Sequence, residues 1–148
     1  MITPVYTHQI IAALLARVFL GVLFFLQGYD KVFRLGIKQV IETIHTPLQD
    51  KGISNMFSVL GAYFTSYTEL VCGALLIAGF LKYYSLYLLG IDLLFVSLLF
   101  GIVEPMWDMK HIFPRLALLI FLLIIPAQWD IISIDHRWSF IQFIKQAF

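Results

Sequence analysis

The sequence has 148 residues, of which 61% are hydrophobic and 13% are charged, and its formal net charge is +1. Soluble domains are about half apolar and about a quarter charged, so a water-soluble fold would expose far more apolar surface than usual. A membrane protein is therefore indicated. The small net charge, without a long run of Lys or Arg, argues against nucleic-acid binding. The single cysteine, Cys72, excludes an intrachain disulfide and a thiolate metal cluster.

Four apolar segments, 10–28, 59–80, 83–103 and 112–128, approach or reach the roughly 20 residues that a helix needs to cross a bilayer. Because lipid offers no partner for unpaired backbone groups, these segments are predicted to be helical. We predict an all-α membrane protein with one domain over 1–148, in which four transmembrane helices form a bundle. Short links make helices two and three, and three and four, antiparallel neighbours.

The long link after the first span is predicted to contain an amphipathic helix at about 30–45. Its apolar residues recur at helical spacing, with charged residues between them: Phe33, Ile37, Val40, Ile41 and Ile44. A second amphipathic helix is predicted at about 137–148. Both helices are expected to lie at the membrane surface.

Four spans place both termini on the same side of the membrane. The side that carries the long link is somewhat richer in Lys and Arg, so the positive-inside rule puts this link in the cytoplasm and the termini outside.

Each predicted transmembrane helix carries one ionisable side chain: Arg17, Glu69, Asp92 and Arg115. Because an isolated charge in hydrocarbon is costly, the four are predicted to face the bundle interior as a buried polar cluster. Their depths favour pairing Arg17 with Glu69, and Arg115 with Asp92. Two interpretations remain open. The pairs either only fix the helix register, or they form a site for a quinone carbonyl or a small anion.

Candidate ligand contacts lie near these charges: Thr65, Ser66, Tyr67, Cys72 and His111. The alternative role of the hydroxyl groups is hydrogen bonding between helices, and that of Cys72 is core packing. No histidine lies in the middle of a span, and no metal-ligand spacing is present, so we predict no metal and no intrinsic cofactor.

Small residues share one face of the first helix with Arg17 and Phe24. They are Ala13, Gly21 and Gly28. Such a stripe is typical of a place where two membrane helices approach closely.

Several of these residues form a longer pattern. Its first part begins in the first helix with Arg17, Gly21, Gln27 and Gly28 and continues to Lys31 at the start of the link. Its later parts are Gly52-Ile53, the segment from Glu69 through Gly73 to Gly79, and Ile132-Ser133-Ile134-Asp135. The pattern resembles the DoxX family of small four-helix membrane proteins. The resemblance implies that the protein is located in the bacterial cytoplasmic membrane. It also implies that the protein is a subunit of a quinone-linked or other redox assembly. Gln27 stands where many members have His, so a ligand contact there would be made by a neutral amide.

The first functional hypothesis is an accessory or anchoring subunit of a larger membrane assembly, with lipid and other membrane proteins as partners and no enzymatic activity of its own. One alternative is a quinone-binding oxidoreductase subunit, in which Arg17 polarises the quinone and Glu69 relays protons. Another is a small-solute carrier that uses the charged cluster. Three observations distinguish these hypotheses. Co-purification with a partner supports the accessory subunit, a bound quinone supports the oxidoreductase subunit, and solute flux in liposomes supports the carrier.

Overall fold

The computed structural model describes residues 7–49, 52, 54–103 and 105–135, and of residues 47, 100, 102, 103 and 105–111 it describes the backbone alone. Its helices are α1 (Thr7–Tyr29), α2 (Ile37–Gln49), α3 (Asn55–Ala78), α4 (Lys82–Val103) and α5 (Pro105–Ile124). The predicted C-terminal helix at 137–148 falls outside the described residues.

Three helices of the described part are long and apolar enough to cross a membrane. They are Thr7–Leu35, Asn55–Ala78 and Lys82–Leu99, and α5 contributes the shorter apolar segment Ile112–Ile124. The all-helical architecture predicted from the sequence and its multi-pass membrane character are therefore confirmed.

The end of the first span differs from the prediction. After Tyr29 the chain continues as one wider helical turn, a π-helix over Asp30–Leu35, and it turns at Gly36 with φ 82° and ψ 145°. Glycine adopts this conformation without steric cost, which explains why the helix ends here. The helix in the link begins at Ile37 rather than near residue 30, and Phe33 lies on the α1 continuation with 65% of its surface exposed.

Helix α2 packs on the bundle through one apolar face. Val40, Ile44 and Leu48 are buried against Ala62 of α3 and Leu99 of α4. The face that was predicted to lie at the membrane surface is thus covered by protein, because the turn at Gly36 folds α2 back onto these two helices.

Helices α1 and α3 approach one another at backbone distance. A Cβ atom placed on Gly21 would lie 2.9 Å from the backbone nitrogen of Ile77, and one on Gly28 would overlap the backbone of Leu70. A Cβ on Gly73 would overlap the backbone of Phe25 in the same way. The close approach predicted from the small-residue stripe is confirmed.

Helix α5 begins earlier and ends earlier than predicted. Residues 105–111, which lie in the predicted short link between the third and fourth spans, are helical, and the helix ends at Ile124, shortly before Pro126. Pro126 disfavours helical backbone in the residue before it, which is consistent with this end. Between α1, α3, α4 and α5 the interior is filled by fully enclosed side chains such as Leu20, Leu76 and Leu122.

Candidate functional sites

One buried charge cluster joins α1, the start of α4 and the segment after α5. Asp130 forms ion pairs with two cations: its Oδ1 lies 3.2 Å from Nε of Arg17, and its Oδ2 lies 3.1 Å from Nζ of Lys82. Arg17 also donates to the backbone oxygens of Leu76, at 3.1 Å, and of Ile132. We call Arg17, Lys82 and Asp130 the Asp130 cluster.

The turn between α3 and α4 is shaped to fit this cluster. Gly79 ends α3 in the left-handed conformation, with φ 71°, and a Cβ atom there would overlap the guanidinium of Arg17. Asp135 accepts hydrogen bonds of 2.9 Å from the backbone nitrogens of Leu81 and Lys82, the first orphan donors of α4. Its own nitrogen donates to the Gly79 oxygen at 3.1 Å. Asp135 therefore connects the turn between α3 and α4 to the segment that follows α5.

The predicted pairing of Arg17 with Glu69 is wrong. Arg17 binds Asp130, which lies beyond the last predicted span, while Glu69 binds a residue of the predicted link. The prediction considered charges inside the spans only. The chain turns back at Pro126 and brings Asp130 into the bundle, a return that helix length and hydropathy do not reveal.

A second group of charges lies near the middle of the bundle. Nζ of Lys31 lies 2.7 Å from Oε2 of Glu69, and the Glu69 side chain is 2% exposed. The contact of Gly28 with Leu70 explains this pair, because Lys31 follows Gly28 by one helical turn and so lies beside Glu69. We call Lys31, Glu69, Asp92 and Arg115 the midplane cluster.

Asp92 and Arg115 complete the midplane cluster without touching each other. Asp92 is fully buried, and neither carboxyl oxygen has a hydrogen-bond partner among the described residues. Arg115 is half-buried, and its guanidinium lies 5.7 Å from the ring centre of Phe24. The prediction pairs Arg115 with Asp92, but the described residues show no direct ion pair between these two side chains.

The smaller polar candidates take different positions. Thr65 and Ser66 are buried in α3, and Cys72 is a buried free thiol one turn beyond Glu69. Tyr67 faces outward with 46% exposure, so it lies away from the cluster. The Gln27 side-chain oxygen is buried and has no partner among the described residues.

The side chain of His111 lies outside the described part. Within the described residues, no group of three His, Cys, Asp or Glu side chains is placed to hold a metal ion.

A cavity of about 130 Å³ adjoins the midplane cluster. Lys31 and Thr65 are at its polar end, and α2 and α4 supply apolar walls through Val40, Ile44 and Val96. Apolar cavities of about this volume accept a molecule of the size of benzene. The cavity volume therefore corresponds to one six-membered ring, and the Lys31 ammonium is the charged donor at its polar end.

A comparison with protein families gives a match to the DoxX model over residues 12–102, more than half of the chain. The chain belongs to the DoxX family. The resemblance predicted from the glycine and charge pattern is thereby confirmed. Comparison with curated proteins and with solved structures gives no match.

The DoxX region contains only part of each cluster. Arg17 and Lys82 lie within it, but Asp130 follows it; Glu69 and Asp92 lie within it, but Arg115 follows it. Each cluster thus joins the matched region to α5 or to the segment after α5.

Proposed function

We propose that this DoxX protein is an accessory subunit that anchors a redox assembly in the bacterial cytoplasmic membrane. In this proposal α5 is the fourth span beside α1, α3 and α4. Four successive antiparallel spans place both termini on the same side of the membrane. The bundle itself is held by internal ion pairs, and its outer surface is left for partner proteins.

The observation that carries the proposal is a pair of outward-facing tyrosines on α3. The rings of Tyr63 and Tyr67 stack with centroids 6.2 Å apart and an angle of 6° between their planes, and both side chains are about half exposed. Tyr67 lies at the middle of a 24-residue helix about 36 Å long, so its hydroxyl is far from either membrane surface. Tyrosine hydroxyls in a dry environment usually find a hydrogen-bond partner. A neighbouring membrane protein supplies one, whereas acyl chains cannot.

The test replaces Tyr67 with a photo-crosslinking amino acid in living cells. We expect covalent adducts between this position and a specific membrane protein, which mass spectrometry then identifies as a component of an oxidoreductase. The matched control carries the same crosslinker at Ile124, which is 75% exposed on α5. We expect no protein adduct at that control position. Lipid adducts alone at both positions, or adducts only between two copies of this chain, would contradict the proposal.

A conservative substitution gives a quantitative version of this test. Tyr67→Phe removes only the hydroxyl, and a hydrogen bond between membrane helices contributes about 0.6–1.7 kcal/mol. We expect the partner identified by crosslinking to bind the Tyr67→Phe protein about 3- to 20-fold more weakly than the wild type when the two proteins are purified together without crosslinking. Tyr87→Phe is the control, because Tyr87 lies near the start of α4, where interfacial water can solvate its hydroxyl. Equal retention by both variants would show that the Tyr67 hydroxyl makes no such bond.

A second candidate function is favoured by the cavity beside Lys31. A quinone ring fits its volume, and its apolar walls lead to a cation that can donate a hydrogen bond to a carbonyl oxygen. The role first assigned to Arg17 passes to Lys31, because Lys31 lines the cavity and Arg17 does not.

The ligand hypothesis is tested by lipid extraction of the purified protein. We expect a bound quinone in the wild type, and at least a tenfold lower content in Lys31→Met, since the polar end of the cavity is lost. Lys38→Met is the control, because Lys38 is exposed on α2 and does not line the cavity. A wild-type protein that retains no quinone after extraction from native membranes would exclude this candidate.

A further inference from the structure

Asp92 is the most enclosed acid of the midplane cluster. Its side chain is 0% exposed on α4, and both carboxyl oxygens lack a hydrogen-bond partner among the described residues. An ionised carboxylate in such a position loses its hydration without recovering hydrogen bonds from protein. A protonated carboxyl is neutral and avoids most of this cost.

The charged and titratable groups around Asp92 come from three other elements. Glu69 and Cys72 face it from α3, Lys31 from the continuation of α1, and Arg115 from α5. Of these groups, Glu69 is an acid like Asp92, whereas Lys31 and Arg115 are cations.

The direct ion pair of Lys31 decides which of the two acids is ionised. Lys31 lies 2.7 Å from Glu69, so this pair is neutral by itself. Arg115 is only half-buried and makes no direct ion pair with Asp92 in the described part of the chain. Two neighbouring carboxyl groups in a buried site do not readily ionise together, and Glu69 holds the better partner. The remaining acid is Asp92.

We propose that Asp92 is a proton-binding site of the bundle interior and carries its proton in the resting protein near neutral pH. This proton lies beside the cavity. Val96 and Leu99 line the cavity wall, and they follow Asp92 by one and two turns on the same face of α4. This inference requires neither a quinone nor a partner protein.

Infrared spectroscopy tests the proposal directly on the whole protein in detergent or liposomes. A protonated carboxyl has a C=O stretch that is separate from the bands of carboxylates. We expect this stretch in the wild type at neutral pH, and we expect it to shift when the protein is labelled with ¹³C at the aspartate carboxyl carbon. Labelling at the glutamate carboxyl carbon should leave it unchanged.

Variants assign the band to one residue. Asp92→Asn should abolish it, whereas Asp130→Asn should retain an aspartate-sensitive band. If Asp92→Asn does not fold, the assignment is tested by the isotope-labelled wild type together with Asp130→Asn. Asp130 is the other buried aspartate of the described residues, so a band that is retained in Asp130→Asn belongs to Asp92. The absence of an aspartate-sensitive band at neutral pH, its loss in Asp130→Asn, or its persistence in Asp92→Asn would overturn the assignment.

Discussion

Asp130→Asn is expected to lower the free energy of unfolding by about 3–5 kcal/mol, because it leaves two buried cations without an anion. The side chains of Arg17 and Lys82 are 2% and 3% exposed, and Asp130 is the acid that both contact directly. Arg17 keeps its bonds to backbone oxygens, so we expect the lower part of this range. Unfolding is measured by loss of helical circular dichroism in a denaturing detergent series.

An exposed ion pair of the same chain supplies the control. Arg34 and Asp30 lie 3.0 Å apart, one turn from each other, with side-chain exposures of 73% and 48%. Asp30→Asn should cost no more than about 1 kcal/mol, because solvent screens such pairs. Similar losses in Asp130→Asn and Asp30→Asn would contradict the structural role of the Asp130 cluster.

A triple replacement separates charge from packing at the same site. The variant Arg17→Met with Asp130→Leu still leaves Lys82 near the site, so Lys82→Met is added. We expect this triple variant to be more stable than Asp130→Asn, since apolar side chains in a buried site avoid the desolvation of charges. A triple variant that is less stable than Asp130→Asn would show that the backbone contacts of Arg17 dominate.

The sequence predicts the helices well because their signals are local. Apolar length identifies α1, α3 and α4, and the stripe of Gly21 and Gly28 predicts the α1–α3 contact. These features depend on neighbouring residues along one helix. The helix in the link was placed about seven residues too early, because its apolar spacing continues through the end of α1 and only Gly36 separates the two.

The clusters were harder to predict because they join residues that are distant in the chain. Lys31 was assigned to the link, although it extends the stripe of Arg17, Phe24 and Gly28 at heptad spacing. That spacing could have placed it in the bundle interior. Asp130 offered no comparable signal, since it follows a proline turn and its partners are 113 and 48 residues away.

The contact between α1 and α3 at Gly28 also determines the position of Lys31 beside Glu69. A methyl group there overlaps the Leu70 backbone, so Gly28→Ala must push α1 and α3 apart. We expect a loss of about 1–3 kcal/mol in unfolding free energy, the usual cost of overpacking a tight contact. The same displacement moves Lys31 away from Glu69, because Lys31 follows one turn later on α1.

The matched control is Gly90→Ala on α4. A Cβ atom there would meet only the side chain of Leu119 at 3.9 Å, an ordinary van der Waals contact. Alanine also has the higher helix propensity, so we expect a change between zero and a gain of about 1 kcal/mol. Both variants add one methyl group to a helical glycine, and only Gly28 lies at the backbone contact. A Gly28→Ala protein as stable as Gly90→Ala would mean that α1 and α3 are not packed at backbone distance, and the position of Lys31 beside Glu69 would then have no structural basis.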